Sequence, residues 1–256
     1  MWRWTGISRW QGWLQGFVVL LLLSGSPAGA GGEDPYPEFV ADYDVRVNGI
    51  KVGSATFRLS HLERDEYLYQ SAASKAGLGR LLGSDKATES SRWRLADNRV
   101  QVLEYQAHNE AGDDDDNAHL VFHWDSLEVE NRGAGEHWRI AMPEGTLDQM
   151  VMQLAMLFDL RDGKTTFRYP VATRGRIKEY RFERAGDEIT ELPFGDYRTV
   201  RLERTDEERD RSWVWSAPEL EYFPVRFVKH KQSGLKTEIL LRRLEFARPE
   251  GSPAEK

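Results

Sequence analysis

The feature that most constrains this chain is a two-residue hydrophobic period that starts near Phe39 and recurs almost to the end. Phe39-Val-Ala-Asp-Tyr-Asp-Val-Arg-Val47 places Phe39, Ala41, Tyr43, Val45 and Val47 on one side. A period of two with one apolar face marks a half-buried antiparallel strand. Asn48-Gly49 follows, and this pair readily takes the positive φ angles of a two-residue hairpin turn. Residues 50–59 read as the returning strand, with Gly53 at a bulge or a close backbone approach. Further strands are expected at 66–71, 89–95, 99–108, 118–124, 126–129 and 136–140. A second set is expected at 165–171, 176–183, 187–191, 197–204, 211–215, 223–231 and 236–246.

One segment has a different period. Leu147, Met150, Val151, Leu154, Ala155 and Phe158 recur at helical spacing as one apolar stripe. Thr146-Leu-Asp-Gln149 reads as a capping box, with Asp148 in the first turn, where the helix dipole favours an acid. Gly163 marks the stop. The fold class expected is mainly β: a strongly curved antiparallel sheet, or a barrel or half-barrel, wrapping one amphipathic helix at about 147–160. Barrels of about eight or more strands can hold a small ligand.

The first 30 residues stand apart. They hold Arg3 and Arg9, no acid, the apolar run 17–23, and Ala28-Gly-Ala30. A positive start, a short apolar core and an A-x-A site predict a cleaved signal peptide at 1–30. The apolar run is far short of the ~20 residues that span a bilayer. No Cys follows it, which excludes a lipoprotein anchor. The expected organisation is this signal, a single β-rich domain at 31–246, and a disordered tail at 247–256. All 42 acids but only 33 of the 35 Lys and Arg follow residue 30, so the formal charge of −7 becomes −9 for the mature chain. That balance argues against a nucleic-acid partner and against adhesion to an anionic bilayer. The chain has no Cys at all, which removes disulfides, thiol catalysis and thiolate metal sites and leaves stability to the core.

No catalytic constellation is legible, and no cofactor or metal is expected. There is no Gly-x-Ser-x-Gly elbow. The Gly-rich stretch 76–83 has Leu82 where a dinucleotide fingerprint needs Gly, so it reads as a flap or short helical turn. The acidic loop 109–117 lacks the spaced pattern of a calcium loop and reads as a solvated hairpin tip. His119 and His123 sit in a strand pattern, about 13 Å apart on one face, too far to share one metal. Aromatics are the more telling group. Trp213 and Trp215, two apart in a strand, share a face. With Trp138, Tyr222, Phe223 and Met150 they are the candidate ligand-binding residues, set against the alternative of plain core packing.

Several motifs in order resemble one family. They are Tyr43-Asp-Val-Arg-Val-Asn-Gly49 with Gly53, Pro143-Glu-Gly-Thr-Leu-Asp-Gln149, Arg211-Ser-Trp-Val-Trp-Ser-Ala-Pro218 and Tyr222-Phe-Pro-Val-Arg226. Together they resemble the DUF3108 family of bacterial exported proteins of unknown function. The resemblance implies an envelope protein, periplasmic in a Gram-negative cell. It also implies a barrel or half-barrel similar in spirit to lipoprotein carriers and lipocalin-like binders. Two functions are expected to compete. One is a non-catalytic carrier of a lipid-like apolar molecule; the other is a rigid module docking onto an envelope protein or glycan. An envelope hydrolase is a third, which a perturbed carboxylate beside a second acid would favour.

Overall fold

The computed structural model describes residues 37–247 apart from 63–64, 76–85, 97–98, 111–116, 134–136, 174 and 207–208. The expected signal peptide, the whole Gly-rich stretch 76–83, residues 111–116 of the acidic loop and the tail beyond Ala247 lie outside the described residues.

Fourteen strands form among the described residues. The first eight are β1 (Phe39–Val47), β2 (Ile50–His61), β3 (Glu66–Lys75), β4 (Lys86–Ala96), β5 (Arg99–Asn109), β6 (Ala118–His123), β7 (Glu128–Asn131) and β8 (Trp138–Ala141). The helix α1 (Val151–Arg161) comes next. Then follow β9 (Thr166–Thr173), β10 (Arg176–Leu192), β11 (Gly195–Arg204), β12 (Arg211–Ala217), β13 (Phe223–His230) and β14 (Lys236–Phe246). Asn48 and Gly49 take φ of 48° and 82°, as the β1–β2 turn requires. Gly53 lies opposite a register shift at Val45/Arg46, and a Cβ there would stand 2.5 Å from the Ser74 carbonyl oxygen. The two strands expected at 176–183 and 187–191 are one, because β10 runs unbroken through Gly186 (φ 130°).

All fourteen strands belong to one sheet in the order β8-β7-β6-β5-β4-β3-β2-β1-β14-β13-β12-β11-β10-β9. Every neighbouring pair is antiparallel. The first and last strands therefore pair with each other in mid-sheet, and the sheet's two edges, β8 and β9, are the strands that flank α1 in the chain. The sheet curls back on itself. β4 and β9 are nine places apart, which is about 43 Å in a flat sheet. Yet Leu147 exchanges backbone hydrogen bonds with Pro170 and Ala172 of β9, while the next residue, Asp148, bonds Ser91 of β4. Trp138 at the start of β8 likewise lies against Gly175, in the turn after β9. The sheet is barrel-like but not closed: β8 and β9 do not pair, and Leu147, in the segment that leads into α1, bridges Val171 of β9.

The core lines the inner face. Phe39, Ala41, Tyr43 and Val45 of β1 are buried, as alternation requires. Aromatic rings join the mid-sheet strands: Phe39 meets Phe223 edge-on at 4.9 Å, and Tyr43 meets Phe57 at 5.4 Å. Tyr67 stacks on the fully buried Trp93 at 4.3 Å. The Tyr43 hydroxyl reaches past β14 to donate to the Pro224 carbonyl at 2.7 Å.

The helix departs from its sequence pattern in two ways. It begins at Val151, not near 147, because Leu147 is taken by its bridge to Val171. It is also not amphipathic in its setting: Met152, Met156, Leu157 and Leu160 are buried along with the expected Val151 and Leu154, while Ala155 and Phe158 are only partly so. A helix wrapped by a curved sheet has no solvent side to spare, so most of its circumference becomes core. Among the described residues no helix is long and apolar enough to cross a membrane.

Candidate functional site

An inward-facing strand position normally carries an apolar side chain, and β4 breaks that rule. In phase with the buried Trp93, its inner face carries Ser91 and Glu89, exposed by only 0% and 6%. The turn that leads into α1 lies over them. There Asp148, fully buried, is the true cap of the helix. Its Oδ1 accepts the Met150 and Val151 amides at 2.6 and 2.9 Å, and its Oδ2 accepts the Ser91 hydroxyl. The expected capping box does not form; the Thr146 hydroxyl instead donates to the Pro143 carbonyl at 2.7 Å. Gln149 extends the latch. Its Nε2 donates to Glu89 at 3.2 Å and to the Tyr105 hydroxyl of β5. One turn on, the Tyr69 hydroxyl of β3 donates to Gln153 at 3.5 Å. The helix N-terminus is thus tied to three neighbouring strands by neutral donors. Its far end is tied to β9 by Tyr169 on Asp159 at 3.3 Å, and to the β12–β13 turn by Arg161 on Glu221 at 2.8 Å.

The electrostatics of this cluster are unusual. Among the described residues none of the hydrogen bonds to Glu89 or Asp148 comes from a Lys, Arg or His. Burial pushes the Glu89 carboxyl up to about 7, against the pull of Tyr105 and Gln149, and the Asp148 charge adds to the rise. Burial pushes Asp148 up to about 6, against its bonds from Ser91 and the two amides. Burial also raises the Tyr69 and Tyr105 phenols, which keeps them as donors. The pair therefore retains a proton at pH values where surface acids have lost theirs. Chemically the cluster offers buried donors, an exchangeable proton and a polar end to an otherwise apolar interior. Three of the chain's five methionines, at 150, 152 and 156, are buried in the helix or at its start.

The structure does not gather the sequence-derived candidates into one pocket. Met150 is fully buried beside the cluster, at the helix start. Phe223 is core, edge-on to Phe39 and Phe246. Tyr222 is half-buried in a tight turn where it and Glu221 both have positive φ, 59° and 56°. Trp138 is half-buried at the sheet edge near Gly175. Trp213 carries the Arg211 guanidinium over its ring at 4.9 Å and His230 edge-on at 5.3 Å. Trp215 lies beneath Arg226 at 4.7 Å and donates to Glu188 of β10. The face these two tryptophans share is covered by charged side chains, not left as an open apolar wall. His119 and His123 lie on β6 as expected, each bonded to its own glutamate, Glu104 at 2.6 Å and Glu130 at 2.9 Å. Among the described residues no cluster of three or more His, Asp or Glu is placed to hold a metal ion. Glu89, Ser91 and Tyr105 were missed from sequence. The available signal was a carboxylate four residues before Trp93, in phase with it on one strand face.

The family model described as "Protein of unknown function (DUF3108)" matches residues 42–239. The chain belongs to this family. The match runs from within β1 into the start of β14 and includes the whole Glu89–Asp148 cluster. No curated protein matches the sequence. Among solved structures, the crystal structure of a beta-barrel-like protein of domain of unknown function DUF1849 from Brucella abortus is similar, with a TM-score of 0.52 at 6% identity. The alignment covers 83% of this chain and 98% of that one. At that identity the likeness is one of fold, and it places this DUF3108 protein among barrel-like sheets.

Proposed function

We propose that this protein is a non-catalytic binder of an apolar, lipid-like molecule in the periplasm, seated between the inner face of the sheet and α1. The observation that carries the reading is the helix itself. A helix that carries Met152 and Met156, buried on most sides, packs against β9 and is tied at its N-terminal end to β3, β4 and β5, while the sheet edges β8 and β9 do not pair with each other. Methionine adapts its shape to irregular apolar partners, and small displacements of such a plug open space without breaking a strand ladder. The Glu89–Asp148 cluster supplies the few polar groups that an apolar site uses to orient its ligand. Native mass spectrometry of protein exported to the periplasm and purified without detergent tests this. A stoichiometric adduct that extracts into organic solvent is expected. A clean apo mass, unchanged after incubation with envelope lipid extract, would refute it and favour the docking-module reading.

A second reading has one specific observation in its favour: two adjacent buried carboxyls near 7 and 6, the arrangement that general acid–base catalysis uses. It predicts hydrolysis of an ester or glycoside probe that Glu89→Gln abolishes while the adduct mass is unchanged. Turnover indifferent to that substitution excludes it.

A further inference from the structure

The outer face of β2–β5 carries a depression of about 410 Å³, away from the helix. That volume is in the range of small-molecule sites. Strand register explains its shape. Two cross-strand rows face outward, Thr56–Ala72–Thr88–His108 and Arg58–Gln70–Ser90–Gln106. The short side chains Ala72, Thr88 and Ser90 fall on the two middle strands and make the floor. Arg58 rises as a wall on β2, and Gln106 and His108 rise on β5.

The charge pattern gives the site its chemistry. The chain carries seven more acids than bases, yet the one acidic residue lining the depression, Glu89, is 6% exposed and turns its carboxyl to Gln149 on the inner face, so no outward side chain there is acidic. The nearest carboxylates are already engaged. Asp42 accepts the Thr56 hydroxyl at 2.6 Å and has two arginines within 3.8 Å. Glu104 is held by His119 at 2.6 Å, Gln106 at 2.9 Å and Arg92 at 3.5 Å. By contrast Arg58, Gln70, Thr88, Ser90 and His108 make no side-chain hydrogen bond or ion pair with any described residue. A guanidinium beside open hydroxyl and amide groups matches one acidic group on a hydroxyl-rich body.

We propose that this depression binds an acidic sugar unit, its carboxylate on Arg58 and its hydroxyls on Thr88, Ser90 and Gln70. The site is separate from the interior ligand reading and stands or falls without it. The test is an NMR titration of the full mature chain with glucuronate, with glucose and acetate as controls. Glucuronate is expected to bind in the millimolar range or tighter, at least about tenfold more tightly than either control. Arg58→Gln should weaken glucuronate about tenfold, the scale of one charge-assisted bond. Thr88→Leu, which fills the floor from an outward-facing position, should abolish binding with the circular dichroism unchanged. A glucuronate-containing oligosaccharide bound tenfold more tightly than the monomer supports the site with a polymer as its source; equal affinity supports a free sugar acid. Glucuronate shifts that are absent, that map elsewhere, or that match those of acetate or survive both substitutions would overturn the proposal.

Discussion

Replacing Glu89 with glutamine should flatten the dependence of stability on pH. Burial lifts this carboxyl from an ordinary 4.5 to about 7. Below about pH 4.5 it is protonated in both the folded and the unfolded chain, and its stabilising bonds are fully present. As pH rises, the unfolded chain releases the proton first, so stability falls, and the loss is complete once the folded carboxyl has titrated near pH 7. At about 1.4 kcal/mol for each pH unit of difference, the full loss is about 3 kcal/mol. Asp148, lifted from 3.8 to about 6, works in the same direction. The substituted amide keeps the shape of Glu89 and an oxygen for the Gln149 side chain but has no proton to lose. The difference in Tm between E89Q and wild type should therefore grow by roughly 5–10 °C between pH 5 and pH 8, at 2–4 °C per kcal/mol for a domain of this size. Differential scanning calorimetry across that range, at constant ionic strength, measures it directly. Taking the difference cancels the histidines and surface acids that both proteins share. Parallel Tm curves for the two proteins would refute the assignment of a buried, protonated Glu89.

Other consequences follow from single residues. Asp148→Ala removes the acceptor for two helix amides and for Ser91 and should destabilise by about 2–4 kcal/mol in urea unfolding, whereas Asp148→Asn, which keeps an oxygen, should lose under about 1 kcal/mol. Asp206→Ala removes the carboxylate held at 2.8 Å by the buried Arg204 guanidinium, which is laid over Tyr180 at 4.0 Å, and should lower stability by about 1–3 kcal/mol by the same measurement. Because Arg204 and its neighbours hold the Asp206 carboxyl below the usual range, the stability it contributes is present above about pH 4 and is lost as pH falls through its depressed value, which acid unfolding of wild type against Asp206→Asn will resolve. Gly53→Ala pushes a methyl group against the Ser74 carbonyl and should lower stability by about 1–3 kcal/mol, read as a lower urea midpoint with an unchanged slope.

By itself the sequence determined the strands apart from the join at Gly186, the hairpin at Asn48-Gly49, the special status of Gly53, the presence of one helix after residue 147 and the family. These are local properties: a two-residue period, a turn pair and a short motif are each carried by adjacent residues. It also kept His119 and His123 from being read as a metal pair, because strand geometry alone separates them. What only the tertiary structure decided depends on which strands meet. That β1 pairs with β14 puts the first and last described strands in mid-sheet and leaves β8 and β9, which flank the helix in the chain, as the two edges. No periodicity in the chain encodes that order. The curl explains why an apolar stripe became a helix buried on most sides, and why it starts only after Leu147 has paired with β9. The Glu89–Asp148 pair joins residues 59 apart in sequence, and its raised pKa values come from burial between a strand and a turn that meet only after the sheet has curled around them. Local pattern specifies what each segment wants to be; long-range pairing specifies which polar groups are denied water, and chemistry follows from the second.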